Sequence, residues 1–330
     1  MKTINLILIG NLSKKLIKNN SQRIVIRRHK LLNLILILCF LLFTEIYIKY
    51  IINYENEAII FGQYENLNIN NTRNFSKDNI TIVTGYQRIK SKHRFSDYNH
   101  WITNLLKINK SMIFFIDKSI AYKIIYKRPK EYLNKTIWIP ININEFYSYK
   151  NFFNEFKKSY LIDVEYFRHN SLLYTTWAEK VIFLKKAAVK NHFNSKCFYW
   201  VDAGNFRNKS NIKDYINWPS TSKCYEDGRV IINEKLKVSN YIKNGLKRFD
   251  INIHKKFQKN YNVDASTFGG QRDFIIKFSD IYYDTIRLFI KKNIFIGKEQ
   301  NVMAYVFYFY PNISHLVYSG RWKYMLEYLS

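Results

Sequence analysis

Cysteine is scarce in this chain. Three occur in 330 residues, at positions 39, 197 and 224. That is too few for a disulfide framework, and none stands at a zinc-ligand spacing. A single bridge between Cys197 and Cys224 stays open for an oxidising compartment. Proline (four) and glycine (ten) are also rare, which excludes a linker-rich or disordered protein. The Gly-x-Gly-x-x-Gly and Gly-Lys-Ser/Thr phosphate-binding patterns are missing. The histidines do not cluster: His93 and His100 lie near each other, His169 and His192 flank a helical stretch, and His254 and His315 are isolated. No Ser-His-Asp or Cys-His order points to nucleophilic catalysis, and Cys197 lies inside an apolar strand. Acid is short as well, with 25 aspartates and glutamates against 53 lysines and arginines.

What the chain has is apolar and aromatic bulk. Hydrophobic residues make up 47% and aromatics 18%, enough for a sizeable core in one large domain or two small ones. The formal charge of +28 invites a nucleic-acid reading. The basic residues are, however, spread along the chain together with abundant Asn, Ile, Tyr and Phe, as an AT-rich genome produces. A nucleic-acid face calls for a clustered stripe, so no nucleic-acid partner is expected. A basic surface still attracts anionic substrates such as sugar nucleotides.

Residues 1–30 hold seven of these cations between Lys14 and Lys30 and no acid. An apolar run follows from Leu31 to Phe43 and continues, broken by Glu45 and Lys49, to Ile52. Crossing a bilayer takes about 20 apolar residues, and Tyr47 and Tyr50 suit the interface. The run predicts a retained signal-anchor at 31–52. The basic tail at 1–30 then stays cytosolic, in the manner of a single-pass type II protein. The body would face the ER or Golgi lumen in a eukaryote, or otherwise the outer face of the membrane. Residues 53–78 are polar and Asn-rich and read as a stem. Asn-x-Ser/Thr acceptors at Asn70, Asn74, Asn79, Asn109, Asn134, Asn208 and Asn312 agree with a glycosylated external body.

The body, 79–330, alternates. Strands are predicted at 80–84, 112–116, 136–141, 197–201 and 229–232, and helices at 96–107 (capped by Ser96), 172–190, 274–292 and 299–309. Such alternation predicts an α/β fold with a mostly parallel, Rossmann-like sheet and helices on both faces. An aromatic, basic stretch at 145–168 precedes the helix 172–190.

Four stretches can carry chemistry. The strand 197–201 stops on Asp202-Ala-Gly204. In open α/β sheets ligands bind beyond the carboxyl ends of the strands, so Asp202 either holds a metal or polar ligand there or caps a turn. In the helix 172–190, Trp177 belongs to the apolar face, Lys180 borders it and Glu179 lies toward the polar side. Lys180 either binds phosphate or snorkels, snorkelling being favoured. The stretch from Ala265 through Phe268, Gly269 and Gly270 reads as a loop before a helix, passing close to a ligand or merely turning. Gly297-Lys-Glu-Gln300 opens the last long helix, where Glu299 either suits the helix dipole or acts as a general base.

In combination these stretches resemble the HtrL/YibB family, whose members are read as glycosyltransferases. The matching residues are Ile82 to Tyr86 with Ser91, Lys92 and Trp101 following; Trp177, Glu179 and Lys180; Trp200 to Gly204 and Arg207; Phe268 to Gly270; and Gly297 to Gln300. The similarity covers about 80–320, with Glu299 where an aspartate is more usual. It implies a GT-A-like fold and sugar transfer from a nucleotide-diphosphosugar donor to a glycan, lipid or protein acceptor. On that view Thr84, Gly85 and Tyr86 receive the nucleotide. Asp202 holds a divalent cation, Mn2+ or Mg2+, or the donor itself, while Gly204, Lys180 and Arg207 serve the diphosphate. Trp177, Glu179, Phe268, Gly269, Gly270 and Gln300 meet substrate, and Glu299 serves as base. Only one acid stands in Asp-Ala-Gly, so a non-catalytic binder of carbohydrate or nucleotide sugar is the alternative.

Overall fold

The computed structural model describes residues 33–48, 78–91, 93–207, 212–259 and 262–330. The chain divides into two units, 1–69 and 70–330. Within the first, helix α1 spans 33–48 with its apolar side chains, Leu34 to Phe43 among them, exposed. Among the described residues no helix is long and apolar enough to cross a membrane. Both ends of the predicted anchor, the basic tail and nearly all of the stem lie outside the described residues.

The second unit is built on one seven-stranded sheet. In chain order come β1 (Ile80–Tyr86), α2 (Phe95–Leu105), β2 (Ser111–Ile116), α3 (Ala121–Ile125), β3 (Thr136–Pro140), α4 (Tyr147–Leu161), α5 (Ser171–Lys190) and β4 (Cys197–Val201). Then follow α6 (Ser222–Glu226), β5 (Val230–Glu234), α7 (Asn240–Lys247), α8 (Ile251–Gln258), β6 (Val263–Gln271), α9 (Arg272–Lys291), α10 (Glu299–Phe309), β7 (Ser314–Tyr318) and α11 (Tyr324–Tyr328). The strand order is β3-β2-β1-β4-β6-β5-β7. All neighbours pair in parallel except β6, which runs antiparallel to both β4 and β5. The mostly parallel α/β sheet of the sequence reading is therefore present, with one reversed strand it did not contain.

β1, β2 and β4 read as near-continuous apolar runs because both their faces are covered. On one face Phe183 of α5 stacks on Phe115 and Trp200, and α9 and α10 extend that core with Phe278, Tyr282 and Phe307. On the other, Tyr98 of α2 packs on Tyr86 at 4.9 Å. α5 begins where the Asn170 side chain accepts the Leu173 N–H at 2.9 Å, and ends on Asn191 in the left-handed region at φ 42°. A disulfide joins Cys197 at the start of β4 to Cys224 in α6.

Three readings of local structure are corrected. Phe268, Gly269 and Gly270 form no loop: they lie buried within β6. Glycine is required there because strands crowd together. A Cβ on Gly269 would sit 2.1 Å from the Phe198 carbonyl oxygen, and one on Gly270 2.5 Å from that of Arg229. The unassigned 145–168 region contains α4, whose Phe152 and Phe156 enter the core. The cap of α2 also moves, from Ser96 to Arg94, whose N–H is taken by Asp97 at 3.1 Å.

Candidate active site at the carboxyl edge of the sheet

β4 ends at Val201, and the next residue, Asp202, starts a tight turn. The Asn205 N–H closes it on the Asp202 carbonyl at 2.9 Å, while the Asp202 N–H donates to Ser266 of β6 at 2.8 Å. The Asn205 side chain clamps the turn to β6 through the Ser266 carbonyl and the Thr267 hydroxyl, at 3.1 and 2.7 Å. With its backbone held on two sides, Asp202 keeps a side chain 35% exposed. Its Oδ1 accepts the indole N–H of Trp200 at 2.7 Å and the ammonium of Lys180 at 2.9 Å. Its Oδ2 takes no hydrogen bond among the described residues.

Lys180 does not snorkel. It is 5% exposed, and its Nζ bridges Asp202 and Glu299, whose Oε1 lies 3.0 Å away. A buried ammonium survives only with counter-charge, and here two acids from different elements supply it. Burial alone would lower the ammonium's pKa, but the two carboxylates outweigh it and hold it above its ordinary value. Glu299 reaches the bridge from the first turn of α10, preceded by a turn that only glycine fits. A Cβ on Gly297 would come 2.6 Å from the Phe295 ring and 2.9 Å from Tyr174. Because Glu299 is itself 6% exposed and turned to Lys180, it holds that lysine and meets no acceptor. The expectation of a base at Glu299 is corrected accordingly, as is that of Lys180 on a phosphate.

Glu179 is also reassigned. It is buried, not on the polar side, and its two oxygens accept the Tyr147 and Ser148 backbone N–H groups at 3.1 and 2.8 Å. These are orphan donors of the first turn of α4, so Glu179 caps a neighbouring helix. Burial pushes its carboxyl above the usual range. Trp177 is half-buried, edge-on to His169 at 5.1 Å. Gln300 donates to the Val263 carbonyl at 3.2 Å and fastens α10 to β6. Phe268, Gly269 and Gly270 are enclosed by the sheet and face no substrate.

Around Asp202 the structure gathers what remains. Thr84 is buried, and its hydroxyl has no partner among the described residues; Gly85 and Tyr86 end β1, and a Cβ on Gly85 would lie 3.2 Å from the Trp200 ring. Gly204 lets α2 approach, since a Cβ there would lie 3.1 Å from Trp101 and 3.2 Å from Tyr98. Arg207 donates its Nε–H to the Gly204 carbonyl at 3.1 Å and lays its guanidinium 4.4 Å from the centre of the Trp101 ring. Tyr98 belongs to the same cluster: burial first, and the Asp202 charge after it, raise its phenol pKa.

One residue of this edge has no counterpart in the sequence reading. Lys323, beyond β7, donates its ammonium to the Asn205 carbonyl at 2.9 Å. Burial and the neighbouring Arg207 push its pKa down to about 8, against the pull of Asp264 and Asp202. The only signal in the sequence is a glycine, Gly320, followed by Arg321 and Lys323 after a short apolar run, too common a pattern to single out.

A resident divalent cation does not fit these donors. Mg2+ asks for one or two carboxylates free to face it, with waters and substrate phosphates completing its shell. One oxygen of Asp202 is engaged, Glu299 is turned to Lys180, and the ammonium between them repels a second cation. Among the described residues no group of three or more His, Cys, Asp or Glu side chains could hold a metal ion. The expectation of Mn2+ or Mg2+ held by Asp202 is corrected on that ground.

No family model matches the chain, and no curated protein matches it. Among solved structures, mouse xyloside xylosyltransferase 1 in its apo form is similar at 9% identity and a TM-score of 0.39, over 73% of this chain and 85% of that one. A 4-diphosphocytidyl-2C-methyl-D-erythritol synthase from Anaerococcus prevotii is similar at 7% identity and a TM-score of 0.36, over 74% of this chain and 88% of that one. Likeness at that level carries nothing about function.

Proposed function

We propose that the 70–330 unit is a glycosyltransferase of the GT-A kind, moving a sugar from a nucleotide-diphosphosugar donor to a glycan, lipid or protein acceptor. The observation that carries this reading is the Lys180 bridge. A buried ammonium tied to Asp202 and Glu299 fixes one carboxylate, half open, at the carboxyl edge of an α/β sheet, where such folds bind ligands. A carboxylate locked there faces a sugar well. Its free oxygen accepts a sugar hydroxyl, and its negative charge favours the positive charge that develops at the anomeric carbon during glycosyl transfer. Thr84 to Tyr86 would flank the nucleotide, and Arg207 would meet its diphosphate.

The order Trp-Val-Asp-Ala-Gly, Gly-Gly and Gly-Lys-Glu-Gln fits the HtrL/YibB resemblance. The Cys197–Cys224 disulfide fits an oxidising lumenal or external site, as a type II anchor over 31–52 would provide.

The test is hydrolysis and transfer by the full-length protein over a panel of nucleotide sugars. Asp202→Asn should abolish turnover in a protein that still unfolds cooperatively, at a melting temperature lowered by the loss of one of Lys180's two counter-charges; full activity in that variant would end the reading. Because Glu299 is buried, a non-catalytic binder of nucleotide sugars stays the second reading. It is recognised by donors that raise the melting temperature without being consumed.

A further inference from the structure

We propose that Lys323 and Arg207 form a binding site for the donor's diphosphate, in which two side-chain cations carry the charge without a bound metal. The identity of that anion rests on the transferase reading above; the anion site itself does not.

Both cations are fastened to the same turn. Arg207 holds the Gly204 carbonyl at 3.1 Å and Lys323 the Asn205 carbonyl at 2.9 Å, on the turn that Asp202 begins. Arg207 stands three residues past Gly204, while Lys323 arrives from 118 residues beyond Asn205, so their meeting is a product of the fold.

The backbone invests in placing Lys323. Its φ is 59°, the left-handed region that a lysine seldom occupies. Asp264, 2% exposed at the start of β6, holds it there by accepting the Lys323 N–H at 2.6 Å. The segment before it is pinned to the end of β5: the Ser319 N–H donates to the Glu234 carbonyl at 3.1 Å, and the Asn233 amide donates to the Arg321 carbonyl at 2.5 Å. Strained backbone held by a buried acid is a mark of functional sites.

The electrostatics point the same way. Arg207 faces Lys323, with Asp264 and Asp202 as its charged counterweights. Asp264 is committed to the Ser266 and Lys323 backbone N–H groups, and Asp202 to Lys180. The nearby Lys235 stacks on Trp322 at 3.5 Å and adds another positive charge. The half-buried Lys323 and the exposed Arg207 repel each other, and a polyanion between them removes that cost. Lysine and arginine clamps on a phosphoryl group serve the same end as a metal, and the donor set beside Asp202 does not suit a metal.

The experiment is calorimetric titration of the full-length protein in EDTA at pH 7, with inorganic pyrophosphate and with UDP, GDP, CDP and ADP. Wild type should bind pyrophosphate and at least one nucleoside diphosphate without any divalent cation. Lys323→Asn keeps a residue that accepts left-handed backbone and should weaken both at least tenfold at an unchanged melting temperature. Arg207→Gln should do likewise, and Lys323→Arg should retain most of the affinity. Binding that appears only with Mn2+, or Lys323→Asn binding as tightly as wild type, would overturn the proposal. Pyrophosphate separates the two claims. If the variants lose pyrophosphate yet no nucleotide sugar is ever turned over, the anion site stands and the transferase reading fails. If sugar transfer proceeds unaltered in Lys323→Asn, the reverse holds.

Discussion

The ammonium of Lys180 lies 2.9 Å from Asp202, so the acid that the sequence presents as an open ligand is already half engaged from below. Lys180 neutralises that acid and Glu299 together from a site water hardly reaches. Removing it leaves two carboxylates facing each other across a buried gap. Lys180→Met is therefore expected to cost about 3 kcal/mol of stability, the lower end for a broken buried ion pair because Asp202 is partly solvated. Chemical denaturation at pH 7 measures this. A variant as stable as wild type would contradict the arrangement.

Glu179 tests a different relationship, that of one helix capping another. Its oxygens satisfy two N–H groups of α4 that have no other cap, since Phe146 at the N-cap position offers none. Glu179→Ala orphans both in a buried setting, at roughly 2–3 kcal/mol. Amide hydrogen exchange should rise first in 147–150. Glu179→Gln, which keeps one acceptor oxygen, should lose less.

Gly269 probes the close pairing of β4 and β6. The Cβ of Gly269→Ala would fall 2.1 Å from the Phe198 carbonyl oxygen, which is backbone and cannot swing aside. Overpacking of this kind costs about 3 kcal/mol, read as a lowered denaturation midpoint. Because the glycine serves the sheet and not a ligand, any active protein that remains should keep its KM for donor and acceptor.

How much of this was legible beforehand depended on whether a signal was local. The strand ending on Asp202 and the helix 172–190 carry their period in their own residues, and both appear within a residue of the expected bounds. β6 was missed because Ala265 to Gly270 holds two glycines, which read as a loop until the backbone of β4 is known to pass within contact of them. α4 was missed because its buried face is spread among Ser148, Phe152, Phe156 and Ser159, with Lys150, Lys157 and Lys158 between. The site divides the same way. Asp202 and Arg207 announce themselves by their place after a strand. The pairing of Lys180 with Glu299, the capping by Glu179 and the arrival of Lys323 are contacts across long stretches of chain, and no window of sequence contains them.

Lys323 yields the pH test. Its pKa is lowered to about 8 by burial and by Arg207, against the attraction of Asp264 and Asp202. A lysine depressed in this way is charged at pH 7 and neutral by about 9. An anion that depends on it should therefore bind more weakly as pH rises through 8, and binding near that pH should draw a proton from solution. Above about pH 7.5 a nucleoside diphosphate is already fully ionised, so a change of affinity between 7.5 and 9.5 reports the protein and not the ligand. Calorimetry in two buffers of different ionisation enthalpy counts the proton. Lys323→Arg, charged throughout, should bind with no pH dependence in this window. A wild-type affinity flat from 7.5 to 9.5 would separate Lys323 from the anion.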